Sequence, residues 1–242
     1  TLSPRPSILK TLPNAAIWIT LRKRRALPKC KPRSVTAWDS APKIPRWLSK
    51  IAINMSTQYD VAVVGAGVAG NCAALALARR GVRVAIFDAQ TPGRAKVCGE
   101  FLSPEVRDVF RRLGVAGEIE NGAREVSSAR IVSHNRELLV ALPKSGLALS
   151  RQKLDSILWN AAQNLGINCC DNTKILNLQR ANKHWTFEAN GETHRARFVV
   201  LATGRNSRLG HEKSHDVSTH NNRYVGFKAH FRGAQLPLGV VE

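Results

Sequence analysis

Residues 59–70 read Tyr-Asp-Val-Ala-Val-Val-Gly-Ala-Gly-Val-Ala-Gly, and a second apolar run ends at Asp88. In order, these are a strand, a glycine turn, a helix start, a second strand and an acid. The run from Asp60 to Val64 is β-branched and apolar enough for a buried parallel strand. Val68 to Arg80 is rich in Ala and Leu and stops at Gly81, which predicts a helix. Val82 to Phe87 predicts the next strand. Gly65 permits the tight turn, Gly67 lets backbone approach a phosphate, and Gly70 lets the helix pack closely. The helix N-terminus then offers unpaired N–H groups and the positive end of its dipole to an anion. Asp88, 18 residues after Gly70, stands where a carboxylate can accept a hydrogen bond from a ribose 2′-hydroxyl. The whole unit predicts a bound dinucleotide. A carboxylate at that position would repel a 2′-phosphate, which argues against NADP here. The unit alone does not separate NAD from FAD, since both carry an ADP half.

Charge divides the chain unevenly. Residues 1–54 hold 12 Lys/Arg against one acid, Asp39, a net +11 of the chain's +20. Seven prolines interrupt that stretch, and its longest apolar run, Ala15 to Leu21, is far too short to cross a bilayer. Three readings fit: an organellar transit peptide, a disordered basic arm for nucleic acid or membrane, or translated sequence upstream of a true start at Met55. The third accounts together for the absent initiator, the composition shift and the position of the only methionine. Residues 1–54 are therefore expected to stand outside the fold, and residues 55–242 to form it. Without recognised nucleic-acid motifs or a stacking surface, nucleic acid is not expected as a partner. The basic charge leaves room for peripheral contact with an anionic membrane, and the oligomeric state stays open. The five cysteines, Cys30, Cys72, Cys98, Cys169 and Cys170, include no CxxC pair. This suits neither a zinc site nor a disulfide framework, and a reducing cytoplasm is the simplest home. Cys169 and Cys170 are expected to face opposite sides of a strand.

Further along, Ser103 and Pro104 are expected to cap and open a helix to Leu113. Ala129 to Ser133 and Glu137 to Leu142 read as an antiparallel hairpin. Ser150 caps a helix from Arg151 to about Leu165. Ile167 to Cys170, Lys174 to Arg180, His184 to Ala189 and Thr193 to Arg197 read as short strands, followed by a separate apolar strand, Phe198 to Ala202. Tyr224 to Phe231 alternates as a half-buried strand. Gly210 to Asn222, with three of the seven histidines, reads as a surface loop, and no metal site is expected.

Four more segments follow the glycine loop in order: Lys96-Val-Cys-Gly-Glu-Phe-Leu-Ser-Pro104, Leu149-Ser-Arg-Gln-Lys-Leu-Asp155, Val200-Leu-Ala-Thr-Gly204 and Tyr224-Val-Gly-Phe-Lys-Ala-His230. With the glycine motif, this set resembles FAD-dependent oxidoreductases of the p-hydroxybenzoate hydroxylase-like class, nearest the geranylgeranyl reductase and FixC-like branch. The resemblance covers roughly residues 58–232. It implies an α/β fold, a doubly wound Rossmann-type FAD-binding domain interrupted by a partial antiparallel-sheet substrate domain, with about 120–145 and 205–242 nearest the substrate. It also implies FAD as cofactor, reduced NAD(P)H as electron donor, and a small organic substrate that is reduced or mono-oxygenated. Carried over by position, Gly65, Gly67, Ala69 and Gly70 hold the pyrophosphate and Asp88 the ribose. Arg94, Lys96, Cys98, Gly99 and Glu100 lie along the cofactor towards the flavin, Arg151 reaches it, and Gly204 lets the returning strand approach it. No catalytic residue is assigned. The family's later Gly-Asp motif does not occur after Gly204, so the chain is expected to be a fragment that holds FAD weakly. The rival readings are an NAD-dependent dehydrogenase and a basic binding protein driven by residues 1–54.

Overall fold

The computed structural model describes residues 58–134, 136–204, 209, 227–231 and 237–242, with the backbone of Ala15–Ile19. A six-stranded sheet organises the molecule. Its parallel part comprises β2 (Tyr59–Val64), β3 (Val84–Phe87), β7 (Asn168–Cys170) and the second half of β10 (Glu192–Leu201). They lie in the order β7-β3-β2-β10, and β9 (His184–Ala189) and β8 (Leu176–Ala181) continue the sheet antiparallel. Helices cover one face: α1 (Val68–Ala78), α2 (Val106–Arg112), α3 (Ala116–Gly122) and α4 (Arg151–Asn164). Pleat alternation sorts the central strands. Val61, Val63, Val84 and Ile86 pack under the helices with Leu75, Leu154 and Leu158. Ala62, Val64, Ala85 and Phe87 face the other side, where Phe187 and Ala189 of β9 cover them. Each such large side chain, fully buried, contributes about 1.5–3 kcal/mol. Cys169 packs in the first cluster and Cys170 in the second, so the pair does face both ways. Burial pushes the Cys169 thiol up to about 12, far from a reactive thiolate.

Two expected strands are one. β10 pairs antiparallel with β9 through Glu192–Ala196 and parallel with β2 through Ala196–Leu201. Ala196 is the pivot, paired with both Trp185 and Tyr59. The switch from polar alternation to an apolar run therefore marks a change of neighbours within one strand. The helix expected from Ser103 begins instead at Val106. Ser103 and Pro104 form the turn before it, their carbonyls accepting from Val106 and Arg107 N–H groups. The Ser150 cap is present: its hydroxyl accepts from Lys153 N–H at 3.2 Å. Ser150→Ala is expected to lower the unfolding free energy by about 1 kcal/mol, read as a shift in urea midpoint at constant slope.

A second sheet runs β12-β5-β6-β4, from β4 (Phe101–Leu102), β5 (Arg124–Ser133), β6 (Arg136–Ala148) and β12 (Val240–Val241). Its hairpin is longer than expected because β6 passes through Pro143. That proline falls where the register jumps between Val126↔Gly146 and Ser128↔Ala141, so no ladder bond is lost. In the segment expected to lie outside the fold, β1 (Ala15–Ile19) pairs antiparallel with β11 (Phe227–Phe231). Ala15-Ala-Ile-Trp-Ile19 is a proline-free apolar stretch there, which is why a strand can form. Tyr224 to Gly226 and the Gly210–Asn222 stretch lie outside the described residues. No helix among the described residues is long and apolar enough to cross a membrane.

Candidate dinucleotide site

The carboxyl ends of β2, β3 and β10 meet at the N-terminus of α1, where open parallel sheets bind ligands. Backbone bonds fix the meeting point. Gly65 N–H donates to the Phe87 carbonyl at 2.7 Å, and Ala202 N–H donates to the Val64 carbonyl at 2.8 Å. The three glycines then divide the labour. Gly65 has φ +106°, and a Cβ there would lie 2.4 Å from the Ala202 carbonyl oxygen. A Cβ on Gly70 would fall 1.8 Å from the Gly65 oxygen. Both positions are closed by the protein's own backbone. Gly67 is open: the nearest atom to its Cβ position is Lys96 Nζ at 3.8 Å. Gly67 is also the N-cap of α1, with no side-chain cap bond and no acid in the first turn. The first N–H groups of the helix therefore face a cleft. Beneath the loop, the fully buried Asn71 donates to the Ala66 carbonyl at 2.7 Å, and its Oδ1 has no partner.

That cleft has a volume of about 1870 Å³. It exceeds the ~300–1,000 Å³ usual for small-ligand pockets and suits a long ligand. Among the expected residues, Gly65, Gly67, Ala69, Asp88, Arg94, Lys96, Arg151 and Gly204 line it. Gly70, Cys98, Gly99 and Glu100 do not. Gly70 lies under the loop for the steric reason just given. Asp88 is nearly buried at 7% exposure and already engaged. Its Oδ2 accepts from Ala66 N–H at 2.7 Å, Oδ1 accepts from Gln90 N–H at 2.9 Å, and Arg94 stands 3.5 Å away. The acid thus also ties the glycine loop to β3. A carboxylate has about four acceptor sites, so a hydroxyl can still be accommodated.

Cys98 and Glu100 turn to other work. Cys98 Sγ takes the Glu100 N–H at 3.5 Å. Glu100, in the left-handed region at φ +56°, accepts from Arg151 N–H at the start of α4 at 3.1 Å. It also pairs with Lys228 and lies 3.1 Å from His230 Nε2. Burial raises the Glu100 carboxyl, but the Lys228, His230 and Arg151 contacts outweigh it and hold the group below its ordinary value of 4.5. The folded pKa is depressed, so the stabilisation is present above pH 4.5 and lost as pH falls through the folded value. Glu100→Gln is expected to remove this component. The difference in urea midpoint between wild type and variant should be larger at pH 7 than at pH 4.

Sequence reasoning missed one wall of the cleft and one residue behind it. The wall is Thr173 to Gln179 with Trp185, which no local motif announced. The residue is Asp155, fully buried and paired with Lys96 and Arg151, which line the cleft. The Arg151–Asp155 spacing of four residues on a helix was the available signal.

An uncapped helix start, an open glycine and a nearby acid are what the ADP half of a dinucleotide requires, and the residues present fit it. Residues 58–235 match the family described as FAD binding domain, and the chain belongs to that family. It is 29% identical over 164 residues to menaquinone reductase of Mycolicibacterium smegmatis, covering 64% of this chain and 40% of that protein. It is 28% identical over 201 residues to conditioned medium factor receptor 1 of Dictyostelium discoideum, covering 72% and 39%. Among solved structures, the halogenase PltM in complex with phloroglucinol and FAD matches with a TM-score of 0.56 at 22% identity, over 64% of this chain and 36% of that one. The fold is that of FAD-binding α/β domains, and FAD is the cofactor that family membership assigns. The chain spans about two-fifths of the length of the curated relatives it matches.

Proposed function

We propose that the chain is the FAD-binding part of an oxidoreductase whose flavin is reduced by NAD(P)H and then serves to reduce or mono-oxygenate a small organic substrate. The observation that carries the reading is the open edge at Gly67, bounded by the uncapped start of α1, Lys96 and Asp88. FAD supplies the hydride and electron chemistry when bound; the protein supplies binding, orientation and electrostatics. Gly67 and the first turn of α1 receive the phosphates, Asp88 accepts from the adenosine ribose, and Arg151 and Arg94 face the cofactor from across the cleft. Glu100 acts behind them, joining the 94–100 loop to α4 and β11. The branch nearest geranylgeranyl reductase and FixC is favoured by the Lys96–Pro104 and Leu149–Asp155 segments, and the likeness to a menaquinone reductase agrees with a reductase. A reducing cytoplasm suits the cysteines, which are all free among the described residues.

The test is an anaerobic titration of the flavin-loaded protein with NADH and NADPH, followed at the flavin visible band. Bleaching by either donor supports the reading. A bound flavin that stays oxidised with both sinks it.

A further inference from the structure

The least economical feature of the site is Asp155. It is 0% exposed on α4, close enough to Cys72 of α1 for its charge to act on that thiol, and a buried carboxylate is costly unless paired. It is paired twice. Oδ2 accepts from Lys96 Nζ at 2.6 Å and from Arg151 Nη2 at 3.2 Å, and Oδ1 accepts from Arg151 Nε at 3.1 Å. Apolar packing of the same volume is often as stable as such an ion cluster, so stability alone does not account for it. What the cluster does is place charge. A lysine side chain on a loop samples many rotamers; here its ammonium is held against Asp155, 3.8 Å from where a Gly67 Cβ would be. Arg151 lines the same cleft. Two cations and one anion leave a net positive charge facing the free N–H groups of α1 across one volume.

We propose that Asp155 is a positioning residue for diphosphate recognition: it fixes Lys96 and Arg151 as a two-cation clamp over the open edge at Gly67, which selects the ligand's diphosphate rather than its rings. The flavin reading enters only in naming the rest of the ligand.

The test uses calorimetric titration of the full chain with ADP and with adenosine, and compares Lys96→Met and Asp155→Asn with wild type. ADP affinity is expected to fall about tenfold in each variant, as for loss of one charge-assisted hydrogen bond. Adenosine affinity stays unchanged, whereas a merely structural defect would weaken both ligands alike. The double variant should lose much less than the sum of the singles, because Asp155 acts partly through Lys96. Asp155→Asn leaves two cations without a buried partner and is vulnerable to misfolding. Lys96→Met changes a partly exposed side chain and decides the matter alone: an unchanged ratio of ADP to adenosine affinity overturns the clamp. FAD competition separates the two claims. If ADP behaves as expected but FAD does not displace it, the clamp stands and the flavin reading fails. If wild type binds neither, both fail.

Discussion

Gly70→Ala is expected to abolish FAD binding and to cost about 3 kcal/mol of stability, at the upper end of overpacking effects. The new methyl carbon would lie 1.8 Å from the Gly65 carbonyl oxygen and 3.3 Å from Ala202 Cβ. The Gly65 atom is backbone, in a turn already pinned by Phe87 and Ala202, so no side chain can swing away. Either α1 moves off the strands or the turn opens, and each outcome misplaces the N–H groups at the start of α1 that are proposed to receive phosphate. Chemical denaturation measures the first consequence and fluorescence titration with FAD the second. Gly67→Ala is the control: its methyl meets only Lys96 Nζ at 3.8 Å. It should leave stability within about 1 kcal/mol while still weakening FAD, because it fills the open space proposed for the ligand's phosphates.

Asp88→Ala should be nearly as damaging, for a different reason. It strips the buried Ala66 N–H and the Gln90 N–H of their acceptor and leaves Arg94 without its neighbour. One buried donor left unpaired costs about 1–3 kcal/mol, and the tie between the glycine loop and β3 is lost with it. FAD affinity should fall at least tenfold. Asp88→Asn keeps one carbonyl acceptor and should retain more of the stability than of the affinity. Thermal melts beside FAD titrations separate the two contributions. Equal losses of affinity in Asp88→Ala and Asp88→Asn would place the charge, rather than the hydrogen bonds to the loop, at the centre of the role.

The glycine unit was legible because everything it needs is local: an apolar strand, three glycines, a helix and a second strand. The α4 helix was legible for the same reason, with Ser150 at one end and Gly166 at the other. Other features depended on neighbours distant in sequence. The continuity of β10 was hidden because its polar half, Glu192–Ala196, pairs with β9 and its apolar half, Ala196–Leu201, with β2, so one strand carries two side-chain patterns. The hairpin's extent was hidden by Pro143, which looks like a breaker until a register jump exempts it. Helix α3 has seven residues, two of them glycine, and no periodicity to see. At the site, Asp88 was singled out for a ribose from its position alone, but its hold on Ala66 N–H required knowing how the loop folds back. Glu100 sits in a segment that resembles a cofactor loop, yet its carboxylate turns to Lys228 and His230, 128 and 130 positions away. The Lys96–Asp155 pair spans 59 positions, beyond the reach of any local pattern.

Equilibrium dialysis of the purified chain against FAD, NAD and riboflavin, with bound ligand read by absorbance, tests FAD binding at this site. FAD is expected to be retained at one per chain and displaced by ADP, with riboflavin failing to compete. Retention of NAD without FAD, or no dinucleotide retained at all, would contradict FAD binding here.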